Sequence, residues 1–146
     1  MTRVMMSSCF ITLAILFVWR VQEVAEACTC SSPPDPHQAL CRSDVVIRAK
    51  VTERLEVDHG ASKDVKYNII VIKKFKGPSR DIDAIYTPLF SSLCGVTLIT
   101  GEQYLIAGWL KPDGTVNVIT CNLVQPWEDL SAKLLKMVED YKHYCS

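Results

Sequence analysis

Apolar and polar residues alternate in several well-separated stretches of this chain, and the period changes near its end. In residues 44–57, "DVVIRAKVTERLEV", Ile47, Ala49 and Val51 alternate with Arg48, Lys50 and Thr52, which predicts a strand with one buried face. Turn material follows at His59-Gly60-Ala61-Ser62. A second long strand is predicted over residues 65–75 ("VKYNIIVIKKF"), ended by Gly77-Pro78-Ser79. Residues 82–87 predict a third, closed by Pro88, and residues 104–109 ("YLIAGW") a fourth, with Gly108 expected to form a bulge. The Asp113-Gly114 pair is a hairpin turn signal, and residues 116–120 predict a fifth strand.

Beyond Pro126 the apolar residues Leu130, Leu134, Met137 or Val138, and Tyr141 recur at helical spacing. A C-terminal helix is expected there, starting at Pro126 and Trp127, its apolar stripe packed on the core. Earlier, residues 31–36 ("SSPPDP") cannot be helix interior and predict a stiff extended arm. Pro36 suits a first helical position, so a short helix should run to Cys41. Five strands, flanking helices and no βαβ rhythm predict a mainly β domain, a five-stranded closed barrel of the oligonucleotide/oligosaccharide-binding (OB-like) type. Many functions share that barrel, so the function has to come from a site.

The start of the chain reads as a secretory signal over residues 1–27. A positive start at Arg3 precedes an eleven-residue apolar run, "CFITLAILFVW", and Ala25 and Ala27 are the small residues of a cleavage site. The run is too short for a membrane span, which needs roughly 20 residues. The mature domain is then expected over residues 28–146. It keeps Cys28, Cys30, Cys41, Cys94, Cys121 and Cys145. An even count in a secreted chain predicts three disulfides, and spacing leaves fifteen possible pairings. Cys28 and Cys30, about 6–7 Å apart in an extended chain, are poorly placed to pair with each other.

Composition narrows the function mainly by exclusion. A formal net charge of +0 with both signs scattered along the chain argues against a nucleic-acid binder. No G-x-S-x-G elbow, H-E-x-x-H motif or phosphate-cradling glycine loop is present. His37, His59 and His143 read as surface residues, and six paired cysteines leave no thiol nucleophile. An enzyme is not expected, nor a cofactor of its own, and no N-x-S/T sequon is present.

The new N-terminus is the unusual group. Cleavage after Ala27 frees the α-amine of Cys28, with a pKa of about 7.7–8.0. Its neutral form carries a lone pair, and the Cys28 carbonyl oxygen lies one five-membered chelate ring away. Together they suit a metal with an open coordination position, such as a catalytic zinc held by three protein ligands and a water.

These residues also carry a resemblance. Cys28-Thr29-Cys30, the proline-rich arm and "HQALCRSDVVIRAKV" (residues 37–51) resemble the N-terminal, netrin-like domain of the tissue inhibitors of metalloproteinases. The likeness continues through "KKFKG", "IYTP", "SSLCGV", "YLIAG" and "PWEDLS" and covers the whole mature chain. It implies an OB-like barrel and the pairs Cys28–Cys94, Cys30–Cys121 and Cys41–Cys145. It further implies that the Cys28 amine and carbonyl chelate the target protease's zinc, and that Thr29 enters the adjoining specificity pocket. Cys30, Ser31, Ser32 and Pro33 would follow the cleft, with Ser91, Ser92 and Leu93 on its other side. The implied partners are secreted or membrane-anchored zinc metalloproteinases, met by an extracellular monomer. The alternative is a netrin-like extracellular binding module without inhibitory power. The chain departs from the family pattern in an arm one residue longer and in Leu40 and Arg42, and only the N-terminal inhibitory domain of the vertebrate members is expected in it.

Overall fold

β1 (Val45–Asp58) and β2 (Lys63–Lys76), fourteen residues each, pair antiparallel over most of their length, and this ribbon organises the rest. The computed structural model describes residues 28–30 and 35–145; residues 1–27, the expected signal segment, lie outside them. The turn between the strands is the expected one: the His59 N–H donates to the Ser62 carbonyl at 2.8 Å, and Gly60 takes a φ of 86°. β3 (Ala84–Pro88) adds to β2, and β4 (Gln103–Leu110) pairs with the first half of β1. β5 (Val116–Asn117) bridges β3 and β4, parallel to the former and antiparallel to the latter. The ring β1–β2–β3–β5–β4 therefore closes on itself. Three register shifts between β1 and β2, the last between Val51 and Glu53, provide the bends a closed sheet needs.

The burial pattern explains why β1 opens with an unbroken apolar run. Val45, Ile47, Ala49 and Val51 point into the ring with Tyr67, Ile69, Ile85, Tyr104, Ile106 and Val118. Val46 points outward, into a second cluster with Leu105 and Ala107 of β4 and with Leu40, Leu123, Leu134, Met137 and Val138. This part of the sheet is covered on both faces, so its strands lose strict alternation. The cover is helical. α1 (Pro36–Arg42) starts with Pro36 in its first turn and the Asp35 carboxylate accepting from the His37 N–H. α2 (Ala132–Glu139) is capped by Ser131, whose hydroxyl accepts from the Leu134 N–H at 3.1 Å. α3 (Tyr141–Tyr144) follows after a break at Asp140.

Three expectations need correction. A sixth strand, β6 (Val124–Pro126), pairs with Tyr104, Leu105 and Ile106 on the outer side of β4. Pro126 therefore ends a strand and Trp127 opens a 3-10 turn (Trp127–Asp129), while the helix starts only at Ala132. Trp127 stacks on Phe75 with ring centroids 6.5 Å apart, and the Arg48 guanidinium lies 4.4 Å over its ring. Those tertiary contacts hold it out of the helix. Gly108 forms no bulge: the β1–β4 register runs unbroken from Val45–Gly108 to Lys50–Gln103.

Gly108 is needed for space instead. A Cβ there would stand 2.7 Å from the Asn117 carbonyl oxygen and 2.8 Å from Val118 Cγ1. Gly108→Ala is expected to cost about 2 kcal/mol by overpacking, measured by denaturant unfolding. A midpoint within error of the unaltered protein would refute the close approach.

Among the described residues no helix is long and apolar enough to cross a membrane. At the turn before β5 the backbone N–H and hydroxyl of Thr115 hold the Asp113 carboxyl below its usual range. That depressed value adds stability above the unfolded carboxyl's pKa, lost as pH falls through the folded one.

Candidate functional site

Cys28, Thr29 and Cys30 carry no regular secondary structure and are tied by disulfides on either side of the exposed Thr29. Cys28 is bonded to Cys94 and Cys30 to Cys121, with Cα separations of 5.3 and 5.5 Å. The third disulfide, Cys41–Cys145, joins α1 to the end of α3. The first two bonds close loops of 66 and 91 residues, long enough for each to restrict the unfolded chain by nominally about 4 kcal/mol.

The two receiving cysteines are also tied to each other. The Thr120 N–H donates to the Cys94 carbonyl at 3.0 Å. The Thr120 hydroxyl lies 3.4 Å from Cys28 Sγ, and since that sulfur is in a disulfide the hydroxyl is the donor. Cys28, Cys30, Cys94, Thr120 and Cys121 thus form one cross-braced unit. Two independent covalent links hold the three-residue segment, so Thr29 is presented on a fixed backbone.

The loop before Cys94 is a single 3-10 turn, Ser91–Leu93. The Phe90 carbonyl accepts from the N–H groups of both Leu93 and Gly95, at 3.0 and 3.2 Å, and Cys94 donates to the Ser91 carbonyl at 3.0 Å. Among the described residues Cys94 is the one non-glycine with positive φ, at 66°. The left-handed conformation costs an L-residue roughly 1–2 kcal/mol, so the disulfide partner of Cys28 is held in a strained geometry. Such strain is typical of places where a fold must aim a group.

Of the residues expected to matter, the structure brings Cys28, Thr29 and Cys30 together with the turn Ser91, Ser92 and Leu93. Ser31, Ser32 and Pro33 lie outside the described residues. Leu93 is 61% exposed and Phe90, on the same loop, 52%. Sequence reasoning passed over Phe90 and Thr120; an aromatic entering a polar turn was a usable signal for the first, and nothing local marked the second. Residues 28–30, 89–100 and 115–126 contain no charged side chain. The segment therefore has no charged side chain to bring to a metal or an acid–base step, and its own reactive groups are backbone ones. Among the described residues no three His, Cys, Asp or Glu side chains gather to hold a metal ion. His37 contacts the Tyr144 carbonyl at 2.9 Å, and His59 pairs with Asp64 at 3.2 Å.

Comparison with known proteins points to one family. The family model described as tissue inhibitor of metalloproteinase matches residues 26–146. Metalloproteinase inhibitor 2 of Homo sapiens is 43% identical over 129 residues, covering 83% of this chain and 58% of the relative. The protein of the same name from Gallus gallus is 43% identical over 127 residues, covering 82% and 57%. That from Cricetulus longicaudatus is 46% identical over 113 residues, covering 72% and 57%. The chain thus spans a little under three fifths of the length of these relatives.

Proposed function

The chain belongs to the tissue inhibitor of metalloproteinase family, a family of inhibitors and not of enzymes, and from that premise we propose that it is a secreted inhibitor of zinc metalloendopeptidases. Removal of residues 1–27 frees the Cys28 amine. The amine nitrogen and the Cys28 carbonyl oxygen would then displace the water of the protease's zinc and bind it as a chelate, the ion going from four to five ligands. Thr29, small and β-branched, enters the specificity pocket next to the zinc. Ser31, Ser32 and Pro33 continue along the cleft, and Ser91, Ser92 and Leu93 meet its other side.

The observation that carries this reading is the double disulfide around Thr29. A short peptide binding the same cleft would have to be ordered on association, at about 0.5–1.5 kcal/mol for each immobilised side chain. Here Cys28 and Cys30 are fixed beforehand to Cys94 and Cys121. The exposed Leu93 and Phe90 add apolar area beside the chelating residue.

N-terminal sequencing of the secreted protein, followed by titration against catalytic domains of several zinc metalloproteinases, tests the proposal. The expected result is a sequence starting at Cys28 and stoichiometric inhibition of at least one of them. A start upstream of Cys28 with no inhibition would point to a netrin-like binding module instead.

A further inference from the structure

From Gly95 to Glu102 the chain has no helix or strand of its own, yet Leu98 is buried in the ring and Val96 packs against it. Buried backbone groups without a ladder need other partners. Three hydroxyls supply them. The Val96 N–H donates to Thr87 Oγ1 at 2.9 Å, and the Val96 carbonyl accepts from the Tyr67 hydroxyl at 3.3 Å. The same Tyr67 oxygen accepts from the Leu98 N–H at 3.1 Å, and the Tyr104 oxygen from the Ile99 N–H at 2.9 Å.

These hydroxyls sit on β2, β3 and β4 in an otherwise apolar interior; Thr87 and Tyr67 are each 1% exposed. Valine at 87 and phenylalanine at 67 would fill the same space without carrying a polar atom into the core. The hydroxyls therefore add placement of the backbone, which apolar packing does not give. Val96, held at both its N–H and its carbonyl, is two residues from Cys94, whose sulfur holds Cys28 and whose carbonyl holds Thr120.

We propose that Thr87 and Tyr67 are positioning residues for the inhibitory segment: from inside the ring they fix Val96, hence Cys94, hence the Cys28 backbone that meets the protease. This rests on the reading of Cys28 as the inhibitory residue. Neither side chain can touch a protease, so their effect on binding runs through the loop alone. A supporting shell left loose by one bond is expected to weaken binding by about ten-fold.

The test uses the mature chain with Thr87→Val, Tyr67→Phe, Thr87→Ser and, as a control, Leu134→Ala in the outer cluster. Inhibition of a metalloproteinase catalytic domain, thermal midpoint and amide exchange at Cys94, Val96 and Thr120 are measured for each. Thr87→Val and Tyr67→Phe should each raise the inhibition constant about ten-fold and speed exchange at Cys94 and Thr120. Thr87→Ser should restore both, and Leu134→Ala should lower the midpoint without changing either. If Thr87→Val weakens inhibition no more than Leu134→Ala does, the positioning role is wrong. Should the unaltered protein inhibit nothing, the functional reading fails by itself. The positioning claim is then judged on exchange, where unchanged protection at Cys94 and Thr120 in Thr87→Val would overturn it.

Discussion

Retaining Ala27 ahead of Cys28 is expected to raise the inhibition constant by at least about a thousand-fold, equivalent to roughly 4 kcal/mol, with no change in thermal midpoint. The added peptide bond turns the Cys28 amine into an amide, whose nitrogen lone pair is delocalised into the carbonyl and no longer binds a metal. The nearest free amine moves outward by about 3.8 Å, one Cα spacing, away from the chelate ring with the Cys28 carbonyl. Stability should be untouched, because Cys28 is held through its sulfur and the bonds to Cys94 and Thr120 do not involve its nitrogen. The reading also fixes a pH dependence. Only the neutral amine chelates, so once pH falls below the amine's pKa each further pH unit should cost about ten-fold in binding. Undiminished inhibition by the extended protein would sink the chelation mechanism while leaving the fold intact.

What could be read from the sequence follows how local each feature is. The β1–β2 ribbon was legible because alternation and the His59-Gly60 turn are written within one short stretch. The helical stripe of Leu134, Met137 and Val138 was legible for the same reason, and these residues are core. β6 was not, since three residues ending in proline carry too little pattern, and their strand character comes from pairing with β4. Spacing alone places Trp127 in the helix, but Phe75 and Arg48, far away in sequence, hold it elsewhere. At the site, Cys28 and Thr29 stood out through their position behind a cleavage signal. Cysteine spacing left every distant pairing open. The supports at Thr87, Tyr67 and Thr120 left no trace, because a hydrogen bond to a backbone about 9, 29 or 26 positions away creates no periodicity. The role proposed for the site comes from the family, and the structure supplies what steadies the segment.

Gly95→Ala should be the most damaging small substitution on this surface, costing about 3 kcal/mol or more. The thermal midpoint is expected to fall by about 10 °C or more. The reason is space, since Gly95 does not share the positive φ of Gly60, Gly77, Gly101 and Gly114. A Cβ at 95 would lie 2.0 Å from the Pro88 carbonyl oxygen, 3.0 Å from its carbon and 3.1 Å from the Phe90 carbonyl oxygen. None of these atoms is free to give way. Pro88 is paired with Asp64 at the end of the β2–β3 ladder, and the Phe90 carbonyl is already held by two N–H donors. Gly60→Ala gives the contrast: its φ of 86° is unfavourable, but nothing lies within 4 Å of the added carbon. That change should cost only about 1 kcal/mol. Relief of the clash at 95 has to displace either the Pro88–Phe90 segment or Cys94, and the disulfide passes the second movement to Cys28. Inhibition should therefore weaken in Gly95→Ala even at temperatures where the protein is fully folded, and stay unchanged in Gly108→Ala, which is also overpacked but away from the loop. Equal inhibition by the two would mean that the Cys28 segment is held independently of the loop beneath it.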